Sequence, residues 1–68
     1  MTYDGYTARV EYDADDCVLH GRVNGISDVV TFEGATVHEL EAAFRNSVDE
    51  YVAFCEERGR TPQRPQEL

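Results

Sequence analysis

The spacing of apolar residues changes period once along this chain, and that change dictates the fold class. Up to Glu33 the period is two, that of a strand with one buried face. From Val37 it becomes three and four, that of a helix lying on a surface. Tyr6, Ala8, Val10 and Tyr12 share one side of a first strand, and Thr7, Arg9 and Glu11 take the other. A second strand is expected from about Cys17 to Val23 and a third from about Ile26 to Glu33. Asn24-Gly25 between them tolerates the positive φ of a tight type I′ turn.

This spacing predicts a register. With a two-residue Asn24-Gly25 loop, Val23 faces Ile26, Leu19 faces Val30 and Cys17 faces Phe32. With an acidic turn over Asp13-Ala14-Asp15-Asp16, Tyr12 faces Cys17, Val10 faces Leu19 and Tyr6 faces Val23. Both hairpins turn the same side of the second strand inward. Ala8 and Gly21 then meet in a middle row that leaves room for a bulky neighbour. Asp28 falls in that row without an evident partner.

The covering element opens at Thr36. Thr36-Val37-His38-Glu39 has the pattern of a capping box, and Val37, Leu40, Phe44, Val48, Tyr51 and Cys55 form the buried stripe. Glu41 and Arg45 make an outward pair four residues apart, and Gly59 followed by Thr61-Pro62 ends the helix. The expected fold is therefore α+β: a three-stranded antiparallel β-meander packed against one long C-terminal helix, over residues 1–59. Residues 60–68, polar with two prolines, read as an extended tail or linker.

Most chemistry is excluded by what is missing from its required pattern. His38-Glu39 begins like a zinc-protease helix, but Ala42 stands where the second histidine must be. Counting from Asp13, a calcium loop needs Gly sixth and Glu twelfth; Val18 and Asn24 stand there instead. Glu11, Asp13 and Glu33 sit at strand ends and are not brought together by the expected pairing. His20 is a lone histidine on the outward side of its strand. All six cations are Arg, so no lysine is present for a Walker-type phosphate loop or a Schiff base. Neither catalysis, nor a metal site, nor a cofactor is expected.

Charge points towards a partner. Fourteen acidic residues against six basic ones give −8, which repels nucleic acid and favours a basic protein. Cys17 and Cys55 form no CxxC pair and read as free thiols in the cytoplasm. No apolar run approaches the roughly 20 residues that span a bilayer. The outward sheet face, carrying Val18, His20, Val29 and Thr31 with Thr7, Arg9, Glu11 and Arg22 around them, is expected to be semi-apolar and to serve as an oligomer interface. One helix covers only one face, and a chain this short buries only about 60% of its unfolded surface, so a homo-oligomer, a dimer or larger, is expected.

Four stretches together resemble the HicB-type antitoxins of toxin–antitoxin pairs. They are Tyr6-Thr7-Ala8-Arg9-Val10-Glu11-Tyr12, Leu19-His20-Gly21-Arg22-Val23, Val30-Thr31-Phe32-Glu33-Gly34, and Ser47-Val48-Asp49-Glu50-Tyr51 with Gly59-Arg60-Thr61-Pro62. The resemblance implies a partial ribonuclease H-like β-β-β-α domain without nuclease residues. It also implies a partner: a small basic mRNA-cleaving ribonuclease toxin of the HicA type, whose active site is blocked. Many members continue into a DNA-binding domain; this sequence ends at Leu68, so DNA binding is not expected of it. Asp13, Asp15, Asp16, Glu56 and Glu57 are the expected toxin-binding residues. Two alternatives stand beside this reading, a stand-alone homo-oligomeric regulatory or assembly module and a degenerate nuclease.

Overall fold

A computed structural model describes residues 1–64. The chain forms β1 (Thr2–Tyr3), β2 (Tyr6–Asp13), β3 (Val18–Val23), β4 (Thr31–Gly34) and α1 (Val37–Glu57). The strands make one antiparallel sheet in the order β1-β2-β3-β4, with α1 packed on one face, chiefly over β4. No helix among these residues is long and apolar enough to cross a membrane.

The sheet has four strands where three were expected. The extra one, β1, pairs with β2 as Thr2 opposite Thr7 and Tyr3 opposite Tyr6. Its turn is Asp4-Gly5, with φ of 50° and 80°, the two successive positive values that a type I′ loop requires. Asn24-Gly25 carries the same kind of signal yet closes no tight hairpin. Gly25 alone has positive φ, at 76°, and the third strand begins at Thr31 rather than near Ile26. The intervening residues lead away from the ladder, and two of them, Ser27 and Asp28, are tied down by other parts of the chain.

Both expected registers are displaced, and in each case by an even number. Val10 faces Gly21 and Tyr12 faces Leu19, while Phe32 faces Gly21 and Gly34 faces Leu19. Even slips leave every side chain on its original face, because the strand period is two. The core therefore holds residues read from the sequence: Tyr6, Val23, Phe32, Leu40, Phe44, Val48 and Cys55 are buried. Val37 at the helix start is exposed, and Val10 and Tyr12 remain 41% and 63% exposed. The helix crosses the sheet from β4 towards β1 and leaves the far half of β2 bare.

Two glycines set the close approaches. A Cβ on Gly21 would lie 2.2 Å from Cε2 of Phe32, so the ring occupies the place a side chain would take on β3. The bulky neighbour that this glycine admits thus comes from the next strand. The same ring lies 5.2 Å from that of Phe44, which joins sheet to helix. A Cβ on Gly34 would meet the backbone nitrogen of Leu40 at 2.6 Å, so only glycine lets the first turn of α1 press so near the end of β4.

Both ends of α1 are closed by local chemistry. The Thr36 hydroxyl accepts the Glu39 amide at 3.1 Å, and the Glu39 carboxylate reaches back to the Ala35 amide at 2.9 Å, one residue before the expected target. At the other end Gly59 has φ of 69°, and the amides of Gly59 and Arg60 donate to the carbonyls of Glu56 and Cys55. That pairing is a Schellman motif. The chain then turns back along the domain. Residues 60–64 are extended, as expected, but docked: the Gln63 carbonyl accepts the buried Tyr6 hydroxyl at 2.5 Å. Its amide donates to Tyr51 Oη at 3.1 Å, and its side chain accepts the Ser27 amide at 2.7 Å. Arg64 stacks over the Tyr6 ring and bonds the Asp4 carbonyl. The rest of the expected tail, 65–68, lies outside the described residues.

Candidate functional site

The outward face of the sheet is charged where a semi-apolar one was expected. Glu11, His20 and Glu33 form one row across β2, β3 and β4, and Arg9, Arg22 and Thr31 form the next. His20 sits between two carboxylates, with Nε2 3.6 Å from Asp13 and Nδ1 3.5 Å from Glu33. The pairing therefore does gather Asp13 and Glu33, around a histidine. Among the described residues no group of three or more His, Cys, Asp or Glu is placed to hold a metal ion. Of the four expected interface residues, Val18 is half-buried, His20 and Thr31 are exposed within the charged rows, and Val29 lies just before β4.

The five expected toxin-binding acids fall into two separate groups. Asp13 turns its carboxylate inward along the hairpin, accepting the amides of Asp15 at 3.0 Å and Asp16 at 3.3 Å. It is a turn-maker first. Asp15 and Asp16 are exposed at the tip of the β2–β3 loop, next to Cys17, whose φ is 53°. Glu56 and Glu57 are exposed on the last turn of α1. The helix begins beside Gly34, which faces Leu19 near the acidic turn, and runs about 30 Å away from it at 1.5 Å per residue. The two acidic groups thus stand near opposite ends of the domain.

A third location went unread in the sequence: the groove between β4 and α1. It has a volume of about 490 Å³ and is lined by Val29, Val30 and Thr31 on one wall and Glu50, Tyr51 and Phe54 on the other. Asp28 and Arg60 close one end, 3.3 Å apart. Asp28, unexplained by the expected register, also accepts the Tyr51 hydroxyl at 2.9 Å. Burial, with help from the Asp28 carboxylate, pushes Tyr51 up to about 12, so its hydroxyl stays protonated and donates. Val29 is 68% exposed and Phe54 46% exposed. Phe54 follows Tyr51 by three positions, off the main apolar stripe; an aromatic at that offset was the available signal for a second, shallower contact face.

β4 is also an edge of the sheet. The Val23 amide donates to the Val30 carbonyl at 3.0 Å, which fixes the phase of the ladder. Val30, Phe32 and Gly34 turn their backbone groups towards β3, so those of Val29, Thr31 and Glu33 point outward, away from any strand of this sheet. The site therefore combines a row of unpaired backbone donors and acceptors with an apolar groove beside it. Comparison with protein families, with curated proteins and with solved structures gives no match.

Proposed function

We infer that this chain is a non-catalytic interaction domain of the antitoxin type, which in the cytoplasm binds a small basic ribonuclease toxin of the HicA type and occludes its active site. The observation that carries this reading is how the arginines are used. Arg9, Arg45, Arg60 and Arg64 pair with Glu11, Glu41, Asp28 and Asp4, and Arg58 lies over the Phe54 ring. Arg22 alone lacks such a partner among the described residues, and it stands opposite Arg9. Asp15, Asp16, Glu50, Glu56 and Glu57 have no cation within salt-bridge reach there. Among the described residues, these exposed acids thus face outward with no cation beside them. A cationic protein complements such a surface, whereas phosphate backbones are repelled.

What supports a partial ribonuclease H-like reading is the order of the meander β2-β3-β4 followed by α1; β1 lies outside that order. The resemblance in sequence supports the choice of partner. The test is to look beside the gene for a small basic reading frame and to co-express its product with this protein. That product alone should arrest growth and cleave RNA, and an equimolar amount of this protein should suppress both. RNA cleavage that continues at saturating amounts of this protein, or a genomic neighbourhood with no small basic protein, overturns the reading.

A further inference from the structure

We propose that the β4 edge is a strand-addition site, which takes an extended basic segment of the partner as a fifth strand. This rests on the partner-binding reading above and specifies how the partner is held. The outward amides and carbonyls of Val29, Thr31 and Glu33 supply the ladder. Such an open edge is a liability unless blunted, and this one has neither proline nor lysine along it. An added strand would place alternate side chains on the helix side, over Val30, Phe54 and the groove floor, and the others beside Thr31 and Glu33 on the outer side.

The chemistry of the margins selects the occupant. Glu33 on one side and Glu50 on the other are both exposed, and neither is matched by a cation held close: Glu33 has only His20, and Glu50 has none among the described residues. Two cations border the groove: Arg60 is engaged by Asp28, and Arg58 lies over the Phe54 ring. A segment that alternates apolar and basic residues therefore fits both faces of the edge. A second copy of this chain fits less well, since it brings a further −8 to the same margin.

The probe is a short alternating Val-Arg peptide, with a Val-Glu peptide as its control, titrated into the protein and followed by backbone amide NMR. The Val-Arg peptide should shift the amides of Val29, Thr31 and Glu33, and the Val-Glu peptide should not. Thr31→Pro removes an outward amide while sparing the β3 ladder, so binding should weaken roughly tenfold, the loss of an interface hydrogen bond and its neighbours. A melting curve checks that the variant still folds, and Phe54→Ala serves as a second variant that leaves the backbone untouched. Shifts centred on the Asp13–Asp16 turn, or equal binding by both variants and the parent, overturn the proposal. So does concentration-dependent shifting of the same amides without peptide, which makes the occupant a second copy. If the toxin-like neighbour binds but leaves the Thr31 and Glu33 amides exchanging freely, strand addition fails and the antitoxin reading stands. If the peptide binds at β4 but no neighbour is inhibited, the reverse holds.

Discussion

Gly21→Ala offers a sharp test of how the sheet is packed. The added methyl would sit 2.2 Å from Cε2 and 2.3 Å from Cζ of Phe32, whereas carbon atoms rest about 3.5–4.0 Å apart. The ring must therefore move by more than an ångström, yet it is buried and leans on Phe44. Overpacking of this kind costs roughly 1–3 kcal/mol, partly offset by the 0.5–1 kcal/mol that alanine returns in place of a strand glycine. The net expectation is a loss of about 1–2 kcal/mol, a large share of the stability of so small a domain. The sign should reverse once the ring is gone. In a Phe32→Leu background Cε2 and Cζ are absent and only the Cδ2 position, 3.0 Å from the methyl, has a counterpart, so Gly21→Ala should be neutral or stabilising by up to about 0.5 kcal/mol. Urea denaturation of the four proteins, followed by circular dichroism, measures the cycle. Equal penalties in both backgrounds would refute the claim that Phe32 is what requires glycine at this position.

Two further outcomes concern the docked segment. Gln63→Ala removes the acceptor of the Ser27 amide and hydroxyl while keeping the backbone bonds to Tyr6 and Tyr51, and should cost about 1–2 kcal/mol by denaturation; parental stability would show that the docked geometry contributes nothing. Tyr51 is raised from 10.0 to about 12, so the fold favours its neutral form. That contribution is fully present below pH 10 and is lost as pH rises through about 12. Tyr51→Phe should be less stable than the parent at neutral pH and should show a shallower alkaline loss, and identical alkaline profiles would remove the assignment.

What was legible in the sequence was local or parity-bound. Thr36 and Gly59 announced the helix ends because each acts on amides or carbonyls a few residues away. Tyr6, Val23 and Phe32 were placed on the right face although both registers slipped, since an even slip preserves facing. Turn chemistry was less reliable. Asp4-Gly5 and Asn24-Gly25 carry equivalent signals, and only the first closes a tight hairpin. The second yields to contacts from far along the chain, where Ser27 and Asp28 are held by Gln63, Tyr51 and Arg60. Such contacts leave no periodic trace. On the outer face the residue types were legible, with Arg9, Glu11, His20 and Arg22 assigned to it, but the slipped registers hid the row that sets Glu11, His20 and Glu33 beside one another.

The docking of Gln63 and Arg64 against Tyr6 and Asp4 also fixes an order of events. The hairpins and the helix caps join residues close in sequence, but these contacts span separations of 57 and 60 residues. They close nearly the whole chain into a ring, and the entropy of that closure is lost only when the ends meet. The meander and α1 can gather Phe32, Leu40 and Phe44 before that happens. The segment after Gly59 is therefore expected to dock after the folding barrier, and folding and unfolding rates of Gln63→Ala measure this. Stability lost by loosening it should then appear almost wholly as faster unfolding, with the folding rate left where it was.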